Sequence, residues 1–77
     1  MDTPTALGVL QEALDRCRKE DTRSPDVFAA LDFLEARAVQ KWPFGQFRRG
    51  LESGDPEGRW QIMNASLNDI RLAIAGK

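Results

Sequence analysis

The residues best suited to binding chemistry lie in one stretch, KWPFGQFRR, at positions 41 to 49. Three cations and three aromatic rings are interleaved there around a single proline. Cations neutralise phosphates and aromatic rings stack on bases, so this mixture is typical of a surface for single strands or phosphate backbones. Rings at helical spacing are equally typical of a hydrophobic core. The stretch therefore has a surface interpretation and a core interpretation.

The spacing of the rings favours the core interpretation. Phe44 and Phe47 face the same way as Leu51 on a helix, and a short chain needs its large side chains to build a core. Trp42-Pro43 would then be the corner between two helices. The cations cannot be buried without a partner, so we expect them to form a basic rim at the surface. This basic rim consists of Arg37, Lys41, Arg48 and Arg49.

Catalytic chemistry has little support in the remaining residues. The chain has no histidine, which removes the commonest general base and the commonest metal ligand. Cys17, the single cysteine, continues the apolar stripe of a helix and is expected to be buried; a reactive thiol beside Arg16 and Arg18 is the alternative. The glycines of GLESGDPEG follow no strand and precede no Gly-Lys-Ser/Thr, so we interpret them as a turn. We expect no enzyme activity, cofactor or metal site.

The elements that position these residues are helices separated by prolines. A residue of the capping type precedes proline at Thr3-Pro4, Ser24-Pro25 and Asp55-Pro56, which is typical of helix starts; Trp42-Pro43 lacks a good cap. Apolar residues spaced by three and four predict helices at about 4–19, 25–40, 43–52 and 56–75.

The same pattern defines the fold class. Gly54 is placed to end the third helix in a left-handed cap, and Gly76 is expected to stop the fourth helix. No strand-length window alternates with period two. The sequence therefore predicts one all-α domain over residues 1–77, a small bundle of three long helices and one short helix.

Several apolar residues lie outside the main helical stripes: Val9, Phe33, Ile62 and Leu72. A single exposed hydrophobic residue needs no explanation, but several on three helices require a second surface on which to be buried. That surface is either the far side of a non-planar bundle or an interface with another chain. The sequence favours neither.

Composition narrows the class of protein further. A formal net charge of -1 provides no overall attraction to nucleic acid or to an anionic membrane. No apolar run approaches the ~20 residues of a membrane span, and the first residues lack the pattern of a signal peptide. One cysteine favours a reducing compartment. We expect a cytoplasmic protein without membrane contact.

These observations favour a small non-enzymatic protein-interaction module, such as an adaptor, an inhibitor or a regulatory subunit, that binds a protein partner or forms a homodimer. The expected contact residues are Phe33, Arg37, Lys41, Trp42, Arg48, Arg49, Ile62 and Leu72. The alternative is a nucleic-acid-associated protein that uses the basic and aromatic patch at residues 37–49. A helix-turn-helix is disfavoured because the junction is Trp-Pro and the following helix is short and apolar.

Overall fold

Four helices make up the computed structural model, which describes residues 1–76. They are α1 (Thr3–Arg16), α2 (Pro25–Glu35), α3 (Trp42–Glu52) and α4 (Pro56–Ala75). No strand occurs in this part of the chain, and the predicted all-α bundle is confirmed. The sequence predicted three long helices and one short helix, but two helices are long and two are short. α4 has 20 residues and α1 has 14, whereas α2 and α3 have 11 each.

The helix starts follow the capping pattern of the sequence closely. Ser24 and Asp55 each accept a hydrogen bond from the backbone N–H three residues ahead, at 3.2 and 3.0 Å. At α1 the cap is Asp2 instead of Thr3, because the helix begins one residue earlier than predicted. Lys41 precedes α3 and makes no side-chain capping bond, as expected for a start at Trp-Pro.

The largest departure from the predicted boundaries is the end of α2. The pattern extended this helix to Gln40, but it ends at Glu35, and residues 36–41 form a linker. The linker leaves the path of α2 to reach the start of α3 at Trp42, and the Val39 N–H donates to the Ala73 carbonyl oxygen at 3.2 Å instead of continuing the α2 hydrogen bonds. The Lys41 ammonium donates to the carbonyl oxygen of Glu35, so the exposed end of α2 gains a cationic partner.

The core combines apolar side chains from every helix. Phe44 and Phe47 are completely buried, so the core interpretation of these two rings is confirmed. α1 packs on α2, α3 packs on α4, and α1 also contacts α4. The fully buried residues around the two rings include Leu10, Leu31, Leu34, Met63 and Ile70.

Arg59, in the first turn of α4, joins the ends of two other helices. Its Nε and Nη2 donate to the carbonyl oxygen of Ser53 at 3.0 and 2.9 Å, and its Nη1 donates to that of Cys17 at 2.7 Å. Ser53 follows α3 in an extended conformation, so Gly54 is not a left-handed cap as predicted. Gly76 ends α4, as expected, and does so in the left-handed conformation, with φ of 80°.

The contact between α3 and α4 depends on a glycine, and two alanine substitutions on α3 test it. A Cβ on Gly50 would lie 2.8 Å from Met63 Cγ, whereas a Cβ on Gly45 would meet no atom within 4 Å. Both variants gain helix propensity, about 1 kcal/mol each. Because Gly50→Ala also overpacks the interface, its free energy of unfolding should fall about 1–3 kcal/mol below that of Gly45→Ala. Urea unfolding of the two proteins measures the difference, and equal stabilities would contradict this packing.

Candidate functional site

Arg48, one member of the predicted basic rim, forms ion pairs with carboxylates of this chain. Its Nη2 lies 2.8 Å from Asp32 Oδ1 and 3.1 Å from Glu35 Oε1, so it joins α3 to α2. The side chain is 31% exposed. Nothing in the sequence pairs these two carboxylates with each other or with Arg48. The structure brings them together around one guanidinium.

Two more cations of the rim also have partners within the protein. The Arg37 guanidinium carbon lies 3.6 Å from the centroid of the Phe33 ring, and Nη1 donates to the Phe33 carbonyl oxygen at 2.9 Å. Phe33 is itself partly buried against the core. Lys41 caps α2, as described above. Arg49, by contrast, is exposed and makes no hydrogen bond or ion pair with any residue from 1 to 76. It is the rim cation best placed to meet a ligand.

The exposed apolar side chains cluster beside α3 and the C-terminal half of α4. Val39, Trp42 and Leu72 are 65%, 56% and 53% exposed. The Val39 N–H donates to the carbonyl oxygen of Ala73 at 3.2 Å, which holds the linker against the end of α4, next to Leu72. The Trp42 indole N–H donates to Gln40 Oε1 at 3.0 Å, so the polar edge of this ring is satisfied.

A groove of about 270 Å³ continues from Trp42 between α3 and α4. It is lined by Trp42, Gln46, Ile62, Ala65, Ser66 and Asp69. The Ser66 hydroxyl donates back to the Ile62 carbonyl oxygen at 2.8 Å, so the helix itself satisfies it. Asp69 makes no hydrogen bond or ion pair with any residue from 1 to 76. The groove is thus largely apolar, with one unpaired carboxylate.

We call this surface the α3–α4 face and define it by its exposed and groove-lining residues: Val39, Trp42, Gln46, Arg49, Ile62, Ala65, Asp69 and Leu72. Four of the eight predicted contact residues belong to it: Trp42 and Ile62 line the groove, Leu72 is exposed beside it, and Arg49 lies seven residues after Trp42, on the same side of α3. The other four (Phe33, Arg37, Lys41 and Arg48) are used for contacts within or beside α2.

Sequence reasoning missed four members of this face: Val39, Gln46, Ala65 and Asp69. Val39 falls within the predicted bounds of the second helix, 25–40, whereas α2 ends four residues before it, at Glu35. Asp69 lies within the predicted fourth helix, 56–75, but is not among the expected contact residues. A signal for Asp69 was present, because it follows Ile62 by seven residues, which places both on one side of a helix.

A second cavity, between the end of α1 and the start of α2, has a different character. Its lining is dominated by charged residues that pair with one another, such as Arg16 with Glu12. Hydrogen bonds from Arg23 lower the pKa of Asp21 there to about 2. Because most of these charges already have partners, this cavity offers a ligand mainly solvated ion pairs.

Cys17 is completely buried, as predicted, and is not in a disulfide. Burial raises the pKa of its thiol, although the nearby charges of Arg59 and Arg18 oppose the shift. Among residues 1–76, no three potential metal-ligating side chains come together. In the same part of the chain, no helix is both long and apolar enough to cross a membrane.

Comparison with known proteins adds no assignment: no family model, curated protein or solved structure matched this chain.

The burial of Cys17 can be tested by thiol labelling. Since the raised pKa keeps the sulfur protonated and the core excludes reagent, labelling by a thiol-specific probe should be slow in native buffer. In denaturant the same probe should react rapidly. Labelling that is already fast in native buffer would show that the thiol is exposed and would revive the reactive-cysteine interpretation.

The different roles of two adjacent cations can be tested by neutralising each. Arg48→Gln removes both contacts to α2 and should lower the free energy of unfolding by about 0.5–1 kcal/mol, the range for a partly exposed pair. Arg49→Gln removes no contact and should stay within about 0.5 kcal/mol of the parent. Thermal melts at low salt measure both, and 1 M salt should narrow the gap because it screens the pair. Equal losses would contradict the assignment.

Proposed function

We propose that this protein is a non-catalytic protein-interaction module that binds a protein partner through the α3–α4 face. One observation carries the proposal. Among residues 1–76, four large hydrophobic residues are exposed, and three of them (Val39, Trp42 and Leu72) lie on this face. The fourth is Met1, the first residue of the chain.

The physical argument concerns clustering. Scattered exposed hydrophobic residues are normal, but a group beside an apolar groove marks a surface that gains free energy when water is removed from it. Tryptophan is among the residues that contribute most to binding at interfaces. The bond from its indole to Gln40 holds Trp42 in place before any partner arrives, so less conformational freedom is lost on binding.

Nucleic-acid binding is the alternative, and its support lies in Trp42 and Arg49. These residues are seven positions apart on α3, so a ring and an unpaired cation share one side of the helix. Two features favour a protein partner instead. Three of the four rim cations already have partners within the chain, and the groove presents the Asp69 carboxylate, which repels phosphate. The free thiol of Cys17 suits the cytoplasmic location that forms part of this proposal.

Substitution of the exposed ring tests the proposal. Tagged parent protein, Trp42→Ser and Ala29→Ser would each be used to capture proteins from a lysate of the source cells. Ala29 is exposed on α2, away from the face, so its variant is the matched control. Trp42→Ser should reduce recovery of the partner by at least about tenfold, as for loss of a central tryptophan at an interface, while the control should not.

Two results would contradict the proposal. Equal recovery by Trp42→Ser and the parent would mean that binding, if any, occurs elsewhere. Capture that disappears after nuclease treatment and declines steeply with salt would favour the nucleic-acid alternative, because phosphate contacts release counterions and apolar contacts do not. Thermal melts of all three proteins should agree, which keeps loss of binding separate from loss of folding.

A further inference from the structure

The α3–α4 face carries two unpaired, opposite charges at opposite ends. α3 and α4 run antiparallel: Trp42 shares the groove with Asp69, and Gly50 packs against Ile62. Asp69 therefore lies at the Trp42 end. Arg49, adjacent to Gly50, lies at the Ile62 end.

The separation of these two ends follows from helix geometry. Trp42 and Arg49 are seven residues apart on α3, as are Ile62 and Asp69 on α4, which corresponds to about 10 Å along each helix axis. Neither charge is satisfied by the described part of the chain, residues 1–76. The face thus has a negative end beside Trp42 and a positive end beside Ile62, with Gln46 and Ala65 between them.

This arrangement is complementary to itself. A two-fold axis that lies in the interface, midway along the face and at right angles to the helices, reverses the direction of the face in the second copy. The Arg49 end of one copy then meets the Trp42 and Asp69 end of the other, and the same contact occurs twice. A guanidinium placed there has a carboxylate and an indole ring as partners.

We propose that the occupant of the α3–α4 face is a second copy of this chain, in an isologous dimer held by two symmetry-related pairs of Arg49 and Asp69. This inference rests on the proposed function, because it names the protein partner of the same surface. Two hydrophobic groups, formed by Val39, Trp42 and Leu72 on each copy, would be covered at the two ends of the interface.

A dimer of this kind needs only a modest share of the protein surface. A specific interface buries about 1,000 Å² or more in total, hence about 500 Å² from each copy. The protein exposes 4440 Å², so each copy would cover roughly one ninth of its surface. From Ile62 to Leu72 the face follows about 15 Å of α4, which is about half of the longest dimension of the molecule, 31 Å.

Charge reversal with complementation tests the pairing. Sedimentation equilibrium on the full chain, from about 10 μM to about 1 mM, should show a monomer–dimer equilibrium for the parent. Arg49→Asp and Asp69→Arg should each weaken dimerisation about tenfold or more, because each places two pairs of like charges across the interface. An equimolar mixture of the two variants should dimerise again, since every pair in the mixed dimer is opposite in charge. The double variant should also dimerise.

Thermal melts check that each variant is folded. If a charge reversal unfolds the protein, the single variants Arg49→Gln and Asp69→Asn replace it. Each of these should weaken the dimer less than the corresponding reversal does. A monomeric parent throughout this range, unchanged dimerisation of either reversal, or a mixture that stays monomeric would each overturn the inference. A monomeric parent whose captured partner is still lost with Trp42→Ser would overturn self-association alone. If the parent is monomeric and Trp42→Ser recovers as much partner as the parent does, the proposed function is overturned as well.

Discussion

The arrangement of the helices depends on one guanidinium. Arg59 starts in α4 and donates to the carbonyl oxygens of Cys17 and Ser53, which lie at the C-terminal ends of α1 and α3. Carbonyl groups at these ends have no partner within their own helix and carry the negative end of the helix dipole. One cation therefore satisfies two helix ends that are far apart in sequence. Without it, both sets of carbonyls would need water in a partly buried region, and the two ends would have no common anchor.

Other cations also join separate helices at the edges of the bundle, through carboxylates. Their contribution to stability differs from that of the core. Arg18 forms a bidentate salt bridge with Glu57, in which both hydrogen bonds are 3.0 Å long, and Arg48 links α3 to α2. Exposed pairs of this kind contribute about 0–1 kcal/mol each, whereas a buried phenylalanine such as Phe47 contributes several times as much. The apolar core therefore supplies most of the stability, and the ion pairs select how the helices are oriented. Because so many cations have such partners, few of those in residues 1–76 remain unpaired.

The parts of the fold that the sequence predicts are those that depend on local interactions. Ser24 and Asp55 begin helices through contacts with backbone three residues away, and the rings of Phe44 and Phe47 are buried because their spacing places them on the face of Leu51. The misjudged features depend on residues distant in sequence. The apolar pattern that extended α2 carries no information on the bond from Val39 to Ala73, which holds that segment in the linker. Likewise, Gly54 is a suitable left-handed cap, but Arg59 satisfies the end of α3 instead. The basic rim was identified by composition, and only tertiary structure shows which of its cations are already paired.

The two tryptophans occupy contrasting environments, and this has a practical consequence for spectroscopy. Trp42 is half-exposed on the α3–α4 face, whereas Trp60 is partly buried, with the Arg18 guanidinium carbon 4.2 Å from its ring centroid. The chain has no tyrosine, so near-ultraviolet fluorescence comes almost entirely from these two indoles. Emission at longer wavelength that a water-soluble quencher removes reports on Trp42 and its surface, while the protected emission reports on Trp60 and the junction of α1 with α4. The protein thus carries two intrinsic optical probes, one for the occupancy of its exposed face and one for the integrity of its fold.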